Sequence, residues 1–151
     1  MIRPQDESGQ SIVKFAMTAS LLFFLLFAIV DGGRIMWSYI TVSQAANLTA
    51  RYATYHGSDS RSPLSTQAYP TPVNCGTHPA DALCAFVFAP ANATVLDPAK
   101  LTVQATWIPD NNPESLVKVT LAYEVVGGLT NFLWAGRTFS FSCPVEMTVQ
   151  N

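Results

Sequence analysis

Cys75, His78, Asp81 and Cys84 recur at three-residue intervals in "CGTHPADALC", and all four are residue types that can ligate a metal. Zinc accepts thiolate, imidazole and carboxylate, but structural zinc sites favour Cys-x2-Cys pairs and seldom use aspartate. In an oxidising compartment the simpler product is a Cys75–Cys84 disulfide closing a short loop. Cys143 is the third cysteine. It sits at an apolar-face position of a predicted strand and is expected as a buried thiol, with Cys84–Cys143 the alternative pairing. The expectation is therefore a disulfide candidate at Cys75 and Cys84 and no metal.

Other chemistry finds no footing. There is no phosphate-cradling glycine loop, no His-Glu-x-x-His and no nucleophile elbow. His56 falls at the predicted end of a helix and His78 in a loop, and the ten carboxylates are scattered without an acid–base spacing. No catalytic residue and no cofactor is called for, and the chain is expected not to be an enzyme. From Ile35 onward five Lys/Arg stand against seven Asp/Glu. That balance lacks the basic stripe of a nucleic-acid binder.

The elements that must position these residues begin with an apolar run. Charged residues make up 12% of the 151-residue chain, about half the usual ~25% share, which points to a membrane segment. Phe15 to Val30 carries no charge, and counting back to Ile12 gives 19 residues with Lys14 inside. As a helix these span about 28 Å, close to a hydrocarbon core of roughly 30 Å. Lys14 can carry its ammonium to the interface along its stem. Asp31 and Arg34 close the far end three residues apart, on one helical face. A cleaved secretory signal is the competing account, but "FAIVDGGR" offers no small-residue cleavage pair. Arg3 and Lys14 favour a cytoplasmic N-terminus.

Helical spacing continues through Ile35, Tyr39, Val42, Ala46 and Ala53, predicting an amphipathic helix over 35–56 that stops at Gly57. Gly32 and Gly33, each costing about 1 kcal/mol in a helix, predict a hinge or loosened turn. Residues 57–82 are rich in Ser, Thr, Pro and Gly and read as loop. Strand signals follow in "CAFVFAP", "LTVQATWIP", "LVKVTLAYEVV" and "TFSFSCPVEMTVQ". The last three alternate with period two, predicting an antiparallel sheet with one covered face, its cover being the amphipathic half-helix. Pro144 predicts an edge strand or a bulge. "GGLTNFLWAG" sets Phe132, Leu133 and Trp134 in a glycine-bounded loop. These aromatics either fold back on the core or form a lip against membrane or partner.

Four stretches, taken in order, are similar to those of TadE-like minor pseudopilins, which serve tight-adherence (Flp-type) pilus systems. Gly9 precedes "QSIVKFAM"; Asp31, Gly32, Gly33 and Arg34 form the membrane-exit motif "DGGR"; "AANLTARYA" follows; and "VKVTLAYEV" resembles the family's valine-rich strand. The match is good over 9–55 and looser over 116–149. The resemblance implies prepilin-peptidase cutting between Gly9 and Gln10, and packing of the freed helix with neighbouring subunits. Lys14 departs from it, since the family usually places a glutamate five residues after the cut to neutralise a neighbour's terminal ammonium. Lys14 and a freed Gln10 amine would be like charges on one face, costly where poorly solvated. Either the segment stays uncut as an anchor, or the subunit occupies a filament tip, or Lys14 is only a topology charge.

The expected architecture is α+β and pilin-like, a long N-terminal helix packed on a small antiparallel sheet. Its parts are a cytoplasmic leader (1–9), a transmembrane segment (10–34), an amphipathic helix (35–56), a loop (57–82) and a periplasmic sheet (83–151). The expected role is a structural minor pilin of the bacterial inner membrane, with the other pilin subunits, the assembly platform and a prepilin peptidase as partners and no nucleic acid. The alternatives are a membrane-anchored periplasmic binding module outside any pilus, and a secreted hydrolase.

Overall fold

The computed structural model describes residues 6–64, 71–90, 92, 96–126 and 138–150, and for 6–8 the backbone alone. Helix α1 runs Asp6–Tyr55, 50 residues without interruption. The hinge expected at Gly32 and Gly33 is absent, because strong helix formers on both sides propagate the helix across the pair. Gly57 follows the helix end, and the amide of His56 donates back to the Ala53 carbonyl at 3.3 Å.

Strand β1 (Val73–Asn74), β2 (Leu101–Ile108), β3 (Leu116–Val125) and β4 (Phe139–Thr148) form one sheet in the order β1-β2-β3-β4, antiparallel throughout. The α+β fold with a long N-terminal helix on a small antiparallel sheet is borne out. Period-two alternation delivers the covered face: Leu101, Val103, Ala105 and Trp107 from β2, and Val117, Val119, Leu121, Tyr123 and Val125 from β3, are all buried. Cys143 joins them from β4. The last strand is an edge, as Pro144 predicted, and its pairing to β3 keeps register across Thr120–Pro144 without a bulge.

"CAFVFAP" is not a strand. Ala82–Val87 forms helix α2, and the reason lies one residue upstream. The carboxylate of Asp81 accepts the amides of Leu83 and Cys84, at 3.0 and 3.5 Å, so it is an N-cap that starts a helix. Leu83, Cys84 and Val87 then share the buried side.

The second half of α1 lies on β3, β4 and α2. Its underside is Val42, Ala45, Ala46, Thr49, Ala50 and Ala53, all buried. The small alanines let the helix sit close to the sheet, and the buried Thr49 hydroxyl is satisfied by the Ala45 carbonyl at 2.7 Å. Helix and β4 run in the same direction: Tyr39 meets Phe141 at one end, and the Gln150 amide donates to the Thr54 carbonyl at the other.

Candidate functional site

The candidate surface is the outside of α1. From Ile12 to Val30 its large apolar side chains are all exposed, Phe15 at 74% and Leu21 at 70%. Such a row is unstable in water and belongs in lipid or against other helices. The two hydroxyls inside it that could bind water bind backbone: Thr18 donates to Lys14 O and Ser20 to Met17 O, both at 2.9 Å. That internal satisfaction is what a bilayer demands. The helix is long and apolar enough to cross a membrane.

Gly9, Gln10 and Lys14 are exposed on the first turns of this helix, and a Cβ built on Gly9 would meet nothing. Gly32, Gly33 and Arg34 are exposed and Asp31 half-buried, two to three turns before the first full contact with the sheet at Val42. The same emptiness surrounds Gly32 and Gly33. Phe132, Leu133 and Trp134 lie outside the described residues.

Sequence spacing found the inner stripe of the amphipathic half but passed over its outer neighbours. Met36, Trp37 and Ile40 are exposed at 62%, 69% and 49%. The signal was available: a helical count that places Ile35, Tyr39 and Val42 on one side places these three away from it.

At the cysteines, the structure joins Cys75 to Cys84 in a disulfide and leaves Cys143 free and buried. With both thiols in the bond and Asp81 capping α2, the zinc alternative loses most of its ligands; among the described residues no cluster of metal-ligating side chains forms. The bond ties β1 to α2. Asn74 continues the clasp, its side chain donating to Ala99 O at 2.9 Å and accepting the Gly76 amide at 2.9 Å. Burial pushes the Cys143 thiol above its ordinary pKa, which keeps it protonated and unreactive.

A polar groove of about 570 Å3 opens at the far end of the head, between Arg51, Thr54 and Tyr55 on α1 and Glu146, Thr148 and Gln150 near the end of β4. Nearby, the β2–β3 turn is held to the helix end: the Ser58 amide donates to Asn111 O at 2.9 Å and its hydroxyl to Asn112 Oδ1 at 3.1 Å.

Residues 9–51 match the family model described as TadE-like protein. The resemblance read from the N-terminal motifs is thus borne out over the apolar segment and most of the amphipathic half. No curated protein and no solved structure matches the chain significantly. A TadE-like N-terminal segment on a helix-and-sheet head is the class that fold and sequence point to, with one candidate membrane helix among the described residues.

Proposed function

We propose that this chain is a structural minor pilin, or pseudopilin, of a tight-adherence pilus or related secretion apparatus, and not an enzyme. It would stand in the bacterial inner membrane with a cytoplasmic N-terminus and a periplasmic head. The observation that carries the reading is one unbroken helix whose large apolar side chains from Ile12 to Val30 are all exposed while its second half is the lid of the sheet. Such a helix holds the head at a fixed height above the bilayer and can leave lipid for a bundle of like helices without refolding. The TadE-like match over 9–51 supports this use of the helix. The Cys75–Cys84 bond suits an oxidising periplasm.

Lys14 distinguishes two states of such a subunit. The Gly9–Gln10 bond lies inside α1, so cutting there requires the first turns to unwind. Once cut, the Gln10 ammonium and Lys14 repel, which disfavours a shaft position flanked above and below and favours the filament tip or base. Mass spectrometry of the mature chain from membranes of its own host tests this. An N-terminus at Gln10 supports a processed pilin. An intact leader, in cells whose other pilins are cut, supports the anchored binding module, with the groove lined by Arg51 and Glu146 as its place to bind.

A further inference from the structure

β4 begins at Phe139, at the level where α1 leaves its apolar segment. Tyr39 and Phe141 touch with ring centroids 5.6 Å apart, and helix and strand run in parallel. Phe139 lies two residues nearer the membrane on β4, roughly 6–7 Å at ~3.3 Å per residue. That offset equals about four helical residues at ~1.5 Å each and brings Phe139 level with Ile35 to Trp37. Phe139 is 46% exposed there, at the height of the outward Met36, Trp37 and Ile40. Four large apolar groups thus stand at one height, three on the outer side of α1 and one on β4, and form a belt by level. Further along the helix the outward positions turn polar, at Gln44, Asn47 and Arg51, with Leu48 leaning over the α2 pocket.

We propose that this belt is a lipid seat: Met36, Trp37, Ile40 and Phe139 rest in the headgroup and carbonyl layer of the bilayer, with Arg34 reaching a lipid phosphate. The inference rests on the membrane-spanning reading of α1 and adds where the head sits. The height fits. From Lys14 to Trp37 is 23 residues, about 35 Å of helix, which places both inside a bilayer of ~40–45 Å while clearing its ~30 Å core. Lysine at one face and tryptophan at the other are the side chains that anchor such a helix at its two interfaces. Arg34 precedes Trp37 by one turn on the same face and is exposed, so its guanidinium meets phosphate oxygens without desolvating in the core. The belt is continuous with the lipid-facing segment, which favours lipid over a separate protein partner as its occupant.

The test uses the full chain in phosphatidylcholine vesicles whose acyl chains carry bromine either near the headgroup or near the terminal methyl. Trp107 and Trp134 also emit, so Trp37 is isolated as the fluorescence lost in a Trp37→Phe variant, which disturbs no buried contact. The expected result is that this component emits to the blue, is quenched severalfold more strongly by shallow bromines than by deep ones, and resists aqueous acrylamide. Free quenching by acrylamide with none by bromolipid overturns the seat. So does protection from both quenchers, which would place a neighbouring copy's helix over the belt. Flotation of the same vesicles separates the two layers of the reading. A chain that floats with Trp37 in water loses only the seat, whereas one that fails to float loses the membrane span as well.

Discussion

The Tyr39 and Phe141 rings meet edge-to-face at 5.6 Å with an interplanar angle of 66°, joining the second half of α1 to β4. Tyr123 extends the group, its ring 6.2 Å from Phe141. Edge-to-face pairs contribute about 0.5–1.5 kcal/mol beyond the area they bury. Tyr39→Ala and Phe141→Ala should therefore be coupled by that amount in a double-mutant cycle read by urea unfolding of the detergent-solubilised chain. Additive losses would mean that the rings only neighbour one another.

Glycines of the head and of the long helix should respond oppositely to alanine. A Cβ on Gly76 would stand 2.7 Å from the Cα of Ala99, backbone that cannot step aside. Gly76→Ala should cost about 1–3 kcal/mol and loosen β1. A Cβ on Gly32 or Gly33 meets nothing, so either change should raise helix stability by about 1 kcal/mol. Thermal circular dichroism in detergent checks both signs. Loss of pilus assembly by a Gly33→Ala chain that melts later than the parent would place that glycine against a neighbouring helix.

Why did the hinge fail to appear when the stripe on either side of it was legible? Helical periodicity from Ile35 to Ala53 reports burial, which the sheet enforces. Glycine propensity reports only a local preference of about 1 kcal/mol, and the long cooperative helix overrides it. "CAFVFAP" misled for a related reason. A short apolar run fits a buried strand or a buried helix equally, and the deciding signal was the capping carboxylate of Asp81 just before it. In the sequence the same residue also falls at metal-ligand spacing with Cys75, His78 and Cys84. The three long strands were legible because period-two alternation is unambiguous over eight to ten residues. The exposed Met36, Trp37 and Ile40 follow from the same helical count, on the side away from the packed stripe.

Reduction of the Cys75–Cys84 bond should lower stability by about 2–3 kcal/mol, the loop-closure contribution expected for a nine-residue separation. The expected experiment compares urea midpoints of the native chain and a Cys75→Ser/Cys84→Ser variant. In the native chain Cys143, being buried and held protonated, should resist iodoacetamide until urea unfolds the head. Labelling at the same rate in folded and unfolded chain would show an open strand β4.

Acid should weaken the turn between β2 and β3. Asp110 accepts the Ser115 hydroxyl at 2.7 Å and the Asn112 amide at 3.2 Å, and these bonds, Ser115 first, hold its carboxyl below the usual carboxylate range. A depressed folded-state pKa contributes stability that is present above the unfolded value and is lost as pH falls through the folded one. Ser115→Ala should therefore flatten the fall in urea midpoint between about pH 5 and about pH 2. It should also lower the midpoint at neutral pH. An unchanged acid slope would remove Asp110 from the account.

Pro144 gives β4 a proline, which has no amide hydrogen, midway along the outermost strand. Two heads crowded side by side on one bilayer cannot zip their sheets together along that margin, because the ladder would break at its middle rung. Addition of a further strand is disfavoured along that margin. On the pilin reading, order among copies would then come from their greasy stems, which lipid can hold apart until a partner stem displaces it.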